Sequence, residues 1–258
     1  MKIFRWIAVA FSMYSKIPMP KFEWKDEDMS DSLSFFPLVG AVIGAAVVLL
    51  NQLSVFDIIP LSVKILLTVS IPLIITGGFH ADGFMDTEDA LNSYAPTEKK
   101  LEILKDPHIG SFAIISLVKW LLAYTAAVSA VLLNDKCELN TLLILGAIFI
   151  MSRVLSGLSS LLFRKAKKKG MLYEETKNRK TAVLVCLIIW LILTAVFMIY
   201  LAPVHGSIII LSFLLFILYY RNKMYKEFGG VTGDTAGFCL TISELIATAA
   251  LAVTLHVI

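Results

Sequence analysis

Charge is what this chain has least of. Asp, Glu, Lys and Arg make up only 17% of its 258 residues, against 58% hydrophobic residues and a mean hydropathy of +0.80. A soluble domain carries roughly 25% charged and about 45–50% apolar residues. One soluble core of this size has no room for the excess. The composition therefore predicts an all-α, polytopic membrane helical bundle, and excludes a disordered tail and a nucleic-acid module. Cysteine is almost as scarce. Cys137, Cys186 and Cys239 lie far apart without C-x-x-C spacing, which excludes a secreted disulfide scaffold and leaves three small apolar fillers. No internal repeat and no low-complexity linker divides the chain. Residues 1–258 thus read as one integral-membrane domain, with 1–32 an amphipathic, interfacial segment and 33–258 the helical bundle. The start resembles a signal peptide, with Lys2 and Arg5 before an apolar run from Ile7 to Tyr14. Its one A-x-A, Ala8 to Ala10, lies inside that run, so an uncleaved helix at the membrane face is expected.

A spanning helix needs about 20 mainly apolar residues. Seven segments qualify or nearly so: 33–54, 60–79, 110–133, 139–163, 181–202, 205–220 and 236–257. Seven spans put 1–32, 80–109, 164–180 and 221–235 on the N-terminal side. That side holds 19 of the 23 Lys and Arg residues, eight of them in 164–180. The bias makes it cytoplasmic and supports an odd number of spans. The run from Arg164 to Lys169 reads first as a topology anchor at anionic lipid.

Two loops on this side have unusual residue choices. In Thr76-Gly77-Gly78-Phe79-His80-Ala81-Asp82-Gly83-Phe84-Met85-Asp86-Thr87-Glu88-Asp89, the aspartates follow i, i+4, i+7 spacing. On a helix they share one face, where they repel one another unless a cation sits among them. Oxygen ligands favour Mg²⁺ or Mn²⁺ over zinc. The bland alternative is a solvated acidic helix end. The second loop is Phe228-Gly229-Gly230-Val231-Thr232-Gly233-Asp234-Thr235-Ala236-Gly237. Its glycines and the helix start that follows suit a phosphate, and Asp234 adds a fourth carboxylate. A tight turn capped by Asp234 would need no ligand. A third segment, Lys105-Asp106-Pro107-His108-Ile109-Gly110-Ser111, offers a cation and a titratable ring. Lys119, Arg153 and Glu244 lie about 12–16 Å inside spans, at 1.5 Å per residue. Charge at that depth seldom faces lipid, so they predict either a polar cavity or a structural pair. Carboxylates, glycine turns and cations on one membrane face point to metal-dependent phospho-group transfer. A transporter is the rival class, but the internal repeats that such folds often show are not evident. A purely structural scaffold leaves the aspartate cluster without a reason.

At these residues the chain resembles the adenosylcobinamide-GDP ribazoletransferase (cobalamin-5′-phosphate synthase) family. Ile17-Pro18-Met19-Pro20 and Phe36-Pro37-Leu38-Val39-Gly40-Ala41-Val42-Ile43-Gly44 are similar to its N-terminal signatures. Thr76 through Asp89 is similar to its acidic signature, and Lys105-Asp106 with Ile109-Gly110-Ser111 to its next block. Gly229-Gly230, Thr232-Gly233-Asp234-Thr235, Gly237 and Glu244-Leu245 are similar to its C-terminal signature. The blocks span almost the whole chain in order. Each alone is weak, and together they are specific. Departures are Ala81, Ala90 where the family usually has glycine, and Thr241 where glutamate is common. CDP-alcohol phosphotransferases need an alanine-arginine pair where Asp86-Thr87 stands, and membrane prenyltransferases use two aspartate-rich loops rather than one.

The resemblance implies a multi-pass enzyme of the cytoplasmic membrane in late cobalamin synthesis. Its donor would be adenosylcobinamide-GDP, its acceptor α-ribazole or α-ribazole 5′-phosphate, and its leaving group GMP. Mg²⁺, with Mn²⁺ as the alternative, is the implied cofactor. On this reading Asp82, Asp86, Asp89, Asp234 and Glu244 form the metal set. Asp89, or else His80, takes the acceptor proton beside Asp82 and Asp86. Lys105, His108, Arg153, Gly233 and Thr235 meet substrate. Beyond the lipid bilayer, the expected associations are a homo-oligomer and other late cobalamin-synthesis enzymes, with no nucleic acid.

Overall fold

The computed structural model describes residues 2–167, 170–176 and 181–258. Twelve α-helices and two short 3₁₀ turns account for most of them, with no strand. In chain order they are α1 (Lys2–Tyr14), α2 (Asp26–Ser32), α3 (Phe36–Gln52), α4 (Leu61–Thr76), α5 (Phe79–Asn92) and α6 (Thr97–Ile103). Then follow α7 (Ser111–Leu132), α8 (Leu139–Leu162), α9 (Met171–Thr176), α10 (Thr181–Leu201), α11 (Pro203–Phe228) and α12 (Gly233–Val257).

Six stretches among the described residues are long and apolar enough to cross a membrane: Asp28–Gln52 and helices α7, α8, α10, α11 and α12. The predicted second span is different. Helix α4 ends at Thr76, and α5 leaves it at an angle of 94°. Gly77 (φ 66°) and Gly78 (φ 78°) make this break, because both hold left-handed backbone that side chains with a Cβ resist. The Gly78 amide closes the end of α4 on the Leu73 carbonyl at 3.0 Å. A polytopic bundle of six spans, or seven with the bent pair, is therefore the architecture. The sixth predicted span was drawn too short: α11 runs unbroken to Phe228, well past 220.

Helix α8 is the centre. Its side chains are buried along nearly the whole length, whereas α10 turns Ile188, Ile192, Leu193 and Val196 outward. An apolar exterior of this kind suits a lipid solvent. With lipid outside, tight packing rather than burial from water holds the helices together. Gly40 and Gly44, four apart on α3, supply it. A Cβ at Gly44 would fall 2.4 Å from the Gly146 carbonyl oxygen of α8, and one at Gly40 would fall 2.3 Å from that of Phe149. The backbones thus touch.

The N-terminal segment packs against the bundle. Ala10, Phe11 and Tyr14 of α1 join the main core, and the Lys16 amide bonds to the Ile75 carbonyl at 2.7 Å. Arg5 pairs with Asp28 at 2.6 Å, and α2 continues into α3 through one 3₁₀ turn. The first apolar stretch thus starts at Asp28, a few residues before the predicted 33. These contacts also place the N-terminal segment, α5, the 104–110 loop, the α8–α10 connection and the α11–α12 turn on one face.

Candidate active site

Helix α5 carries two faces. Gly83, Phe84, Thr87 and Ala90 are buried against neighbouring helices, while Asp82 is exposed and Asp86 and Asp89 are half-buried. The i, i+4, i+7 reading therefore holds. What the spacing did not show is the partner. Gly83 of α5 and Gly237 of α12 let the two helices meet backbone to backbone. A Cβ at Gly83 would lie 2.9 Å from the Asp234 Cα, and one at Gly237 would lie 2.7 Å from the His80 carbonyl oxygen. This contact delivers Asp234 to the acidic face. Asp82, Asp234 and Asp89 all act repulsively on the Asp86 carboxylate.

The α11–α12 turn is built to expose a helix N-terminus. Gly229 (φ 73°) ends α11. Thr232 and Thr235 cap α12 reciprocally: the Thr235 amide donates to the Thr232 hydroxyl at 3.2 Å, and the Thr232 amide to the Thr235 hydroxyl at 2.8 Å. Gly233 has nothing within 4 Å of where its Cβ would stand. It borders a cavity of about 260 Å³ whose walls include His80, Asp82, Asp234, Lys167 and Tyr173. A second hollow, of about 480 Å³, opens on the other side of Asp82, against Lys16 and Gly77.

Several expected site residues stand elsewhere. Thr235 is fully buried in its capping role, with the Tyr220 hydroxyl donating to it at 3.3 Å, and does not line the cavity. His108 points into solvent and pairs with Asp106 at 2.7 Å, away from the cavity. Asp89 turns toward α7: its carboxylate oxygens lie 2.0 and 2.1 Å from where a Cβ on Gly110 would stand. It still repels Asp86, but its near neighbour is the start of α7. Arg153 and Glu244 pair with each other, and the Ser152 hydroxyl donates to Glu244 at 3.0 Å. Both are buried, 0% and 3% exposed, and neither lines the cavity beside Asp82 and Asp234. Lys119, placed with them by depth, faces outward from α7. Lys105 is exposed on its loop and close enough to act on Lys167. His80 lies buried beneath the carboxylates, its ring 6.2 Å from Tyr14 and 5.5 Å from Phe36, with Nε2 unpartnered.

Two residues escaped the sequence reading. Tyr14 donates a short hydrogen bond to the buried Glu175 carboxylate, and Ser30 bonds the Glu175 carbonyl at 2.8 Å. Burial lifts that carboxyl to about 7, against the pull of Tyr14 and Lys165. A single Glu in a charged connection carries no spacing signal that links it to residue 14.

Matching the whole chain decides its kinship. Residues 6–252 match the cobalamin-5-phosphate synthase family. The chain belongs to this family. It is 40% identical to the adenosylcobinamide-GDP ribazoletransferase of Lachnoclostridium phytofermentans, over 93% of this chain and 90% of that one. It is 36% identical to the enzyme of the same name from Clostridium perfringens, over 95% and 96% of the two chains. For Clostridioides difficile the figures are 32%, 90% and 91%. No solved structure matches it. As a member of the cobalamin-5-phosphate synthase family the chain is a transferase of cobalamin biosynthesis, and the acidic and glycine-rich blocks of its sequence are the two elements that α5 and α12 bring together.

The donor set suits a hard cation. It is all carboxylate oxygen, and Asp82 and Asp234 border the same cavity. Among the described residues no group of three or more acidic, His or Cys side chains converges on one point. A Mg²⁺ ion here would therefore need substrate phosphates and water to complete its shell beside one or two carboxylates.

Proposed function

We propose that this enzyme transfers the adenosylcobinamide-phosphate group of adenosylcobinamide-GDP to α-ribazole or α-ribazole 5′-phosphate. The acceptor hydroxyl oxygen bonds to the corrinoid-side phosphorus, the bond from that phosphorus to the bridging oxygen breaks, and GMP leaves. The observation that carries this reading is the Gly83–Gly237 contact, which sets Asp234 of α12 against the acidic helix beside a cavity that Lys165 and Lys167 also line. Asp82 and Asp234 are the residues that would hold Mg²⁺; bound there, it would neutralise diphosphate charge. Asp86, the carboxylate on which Asp82, Asp234 and Asp89 all act repulsively, receives the acceptor proton at a carboxylate oxygen. The open N-terminus of α12 at Gly233 orients a phosphate. Phe79, Leu172 and Tyr173 form the apolar part of the cavity wall. The segregation of Lys and Arg supports a cytoplasmic position for this face, where a nucleotide-activated donor is available.

The test is an assay on the purified protein in lipid, with both substrates and Mg²⁺, following GMP release and product mass. A cobalamin-type product that EDTA abolishes is expected. Asp82→Ala should remove turnover while the protein stays folded. Near-normal turnover in that variant refutes the site.

A further inference from the structure

The α8–α10 connection carries the densest run of positive charge in the chain. Its described residues are not equivalent. Arg164 stacks on Tyr225, with Cζ 4.9 Å from the ring centroid, and its amide donates to the Tyr225 hydroxyl at 2.8 Å. The Lys165 ammonium donates to the Ser160 and Phe163 carbonyls, the last of which lies at 3.3 Å, and so closes the C-terminal end of α8. Both therefore stabilise local structure. A clip holds this stretch against the α11–α12 turn: the Val231 amide donates to the Arg164 carbonyl at 2.8 Å and the Ala166 amide to the Val231 carbonyl at 3.0 Å. Gly230 makes the clip sterically allowed, since a Cβ there would fall 2.4 Å from the Arg164 carbonyl oxygen.

The next residue is Lys167. The clip sets it beside Thr232, Gly233 and Asp234 on the cavity wall. It takes part in no ion pair among the described residues. Asp234 attracts its ammonium, while Lys105 repels it from another loop. An anion in the cavity would relieve that repulsion and meet the α12 N-terminus at the same time. We propose that Lys167 is the phosphate-binding cation of this site: it grips the diphosphate of a nucleoside-diphosphate-activated donor beside Asp234, whereas Lys165, which also borders the cavity, has its ammonium engaged by the Ser160 and Phe163 carbonyls. This deepens the transferase reading and rests on it. It also departs from that reading's first candidates, because Arg153 is paired inside the bundle and His108 faces solvent.

The experiment measures equilibrium binding of GDP with Mg²⁺ to the full chain in lipid nanodiscs, so it does not depend on turnover. Lys167→Ala should weaken GDP binding about tenfold or more, the loss of one charge-assisted contact, and flatten its salt dependence. Lys167→Arg should keep most of the affinity. Lys165→Ala should lower the thermal midpoint and leave GDP affinity within about twofold. Unchanged GDP affinity in Lys167→Ala overturns the assignment. So does an equal loss in Lys165→Ala, or a wild-type chain that binds no GDP. If Lys167→Ala loses GDP binding while the wild type makes no cobalamin product, the lysine assignment stands and the proposed acceptor falls.

Discussion

Removing Glu244 separates a structural role from a catalytic one. Glu244→Ala leaves Arg153 charged, fully buried and without its counter-ion. Two of its nitrogens, Nε and Nη2, already lack partners, so little remains to compensate. A Cβ at Gly40 of α3 would lie 2.7 Å from the Arg153 Cδ, so the side chain is closely packed against that helix. Breaking one half of a buried pair costs about 3–5 kcal/mol. At roughly 2–4 °C per kcal/mol for a chain of this size, the thermal midpoint should fall by about 10 °C. Replacing both residues, Arg153→Met with Glu244→Leu, should recover much of the loss, since no charge is then stranded. The assay is thermal unfolding in detergent for the wild type, both single variants and the double, read as a coupling energy. A Glu244→Ala protein with an unchanged midpoint and a raised Mg²⁺ requirement would refute this reasoning and return Glu244 to the metal site.

Glu175→Gln should change the pH dependence of stability. The folded protein holds a proton on Glu175 up to about pH 7, against 4.5 for the free side chain. Folding therefore takes up a proton in that window, so stability falls as pH rises from about 4.5 to about 7, by about 3 kcal/mol in total, and is flat above it. The glutamine variant lacks this slope; parallel wild-type and variant curves in denaturant titrations across the window would count against it. Gly83→Ala should lower kcat by about tenfold to a hundredfold, because its Cβ would force Asp234 away from the acidic helix. Measured turnover within about twofold of wild type would show that the α5–α12 contact does not set the site's geometry.

The composition, the apolar runs and the lysine and arginine segregation were enough to predict a multi-pass helical bundle, because lipid allows few other ways to satisfy a spanning backbone. The aspartate spacing was legible for a similar reason: helical period alone puts Asp82, Asp86 and Asp89 on one face. Long-range pairings were not legible. Depth along a span is one coordinate, and it grouped Lys119 with Arg153 and Glu244, yet the rotation of α7 turns Lys119 outward while α8 and α12 turn the other two toward each other. The charge run from Arg164 to Lys169 looked uniform, until the clip to Val231 gave Arg164, Lys165 and Lys167 three different surroundings. Glycine positions likewise read as turns, whereas Gly83 and Gly237 prove to be the contact that brings Asp234 to the acidic face. A sequence specifies local period and solvent through residue type. Which faces meet depends on how closely two backbones approach, and that is decided only when the helices pack.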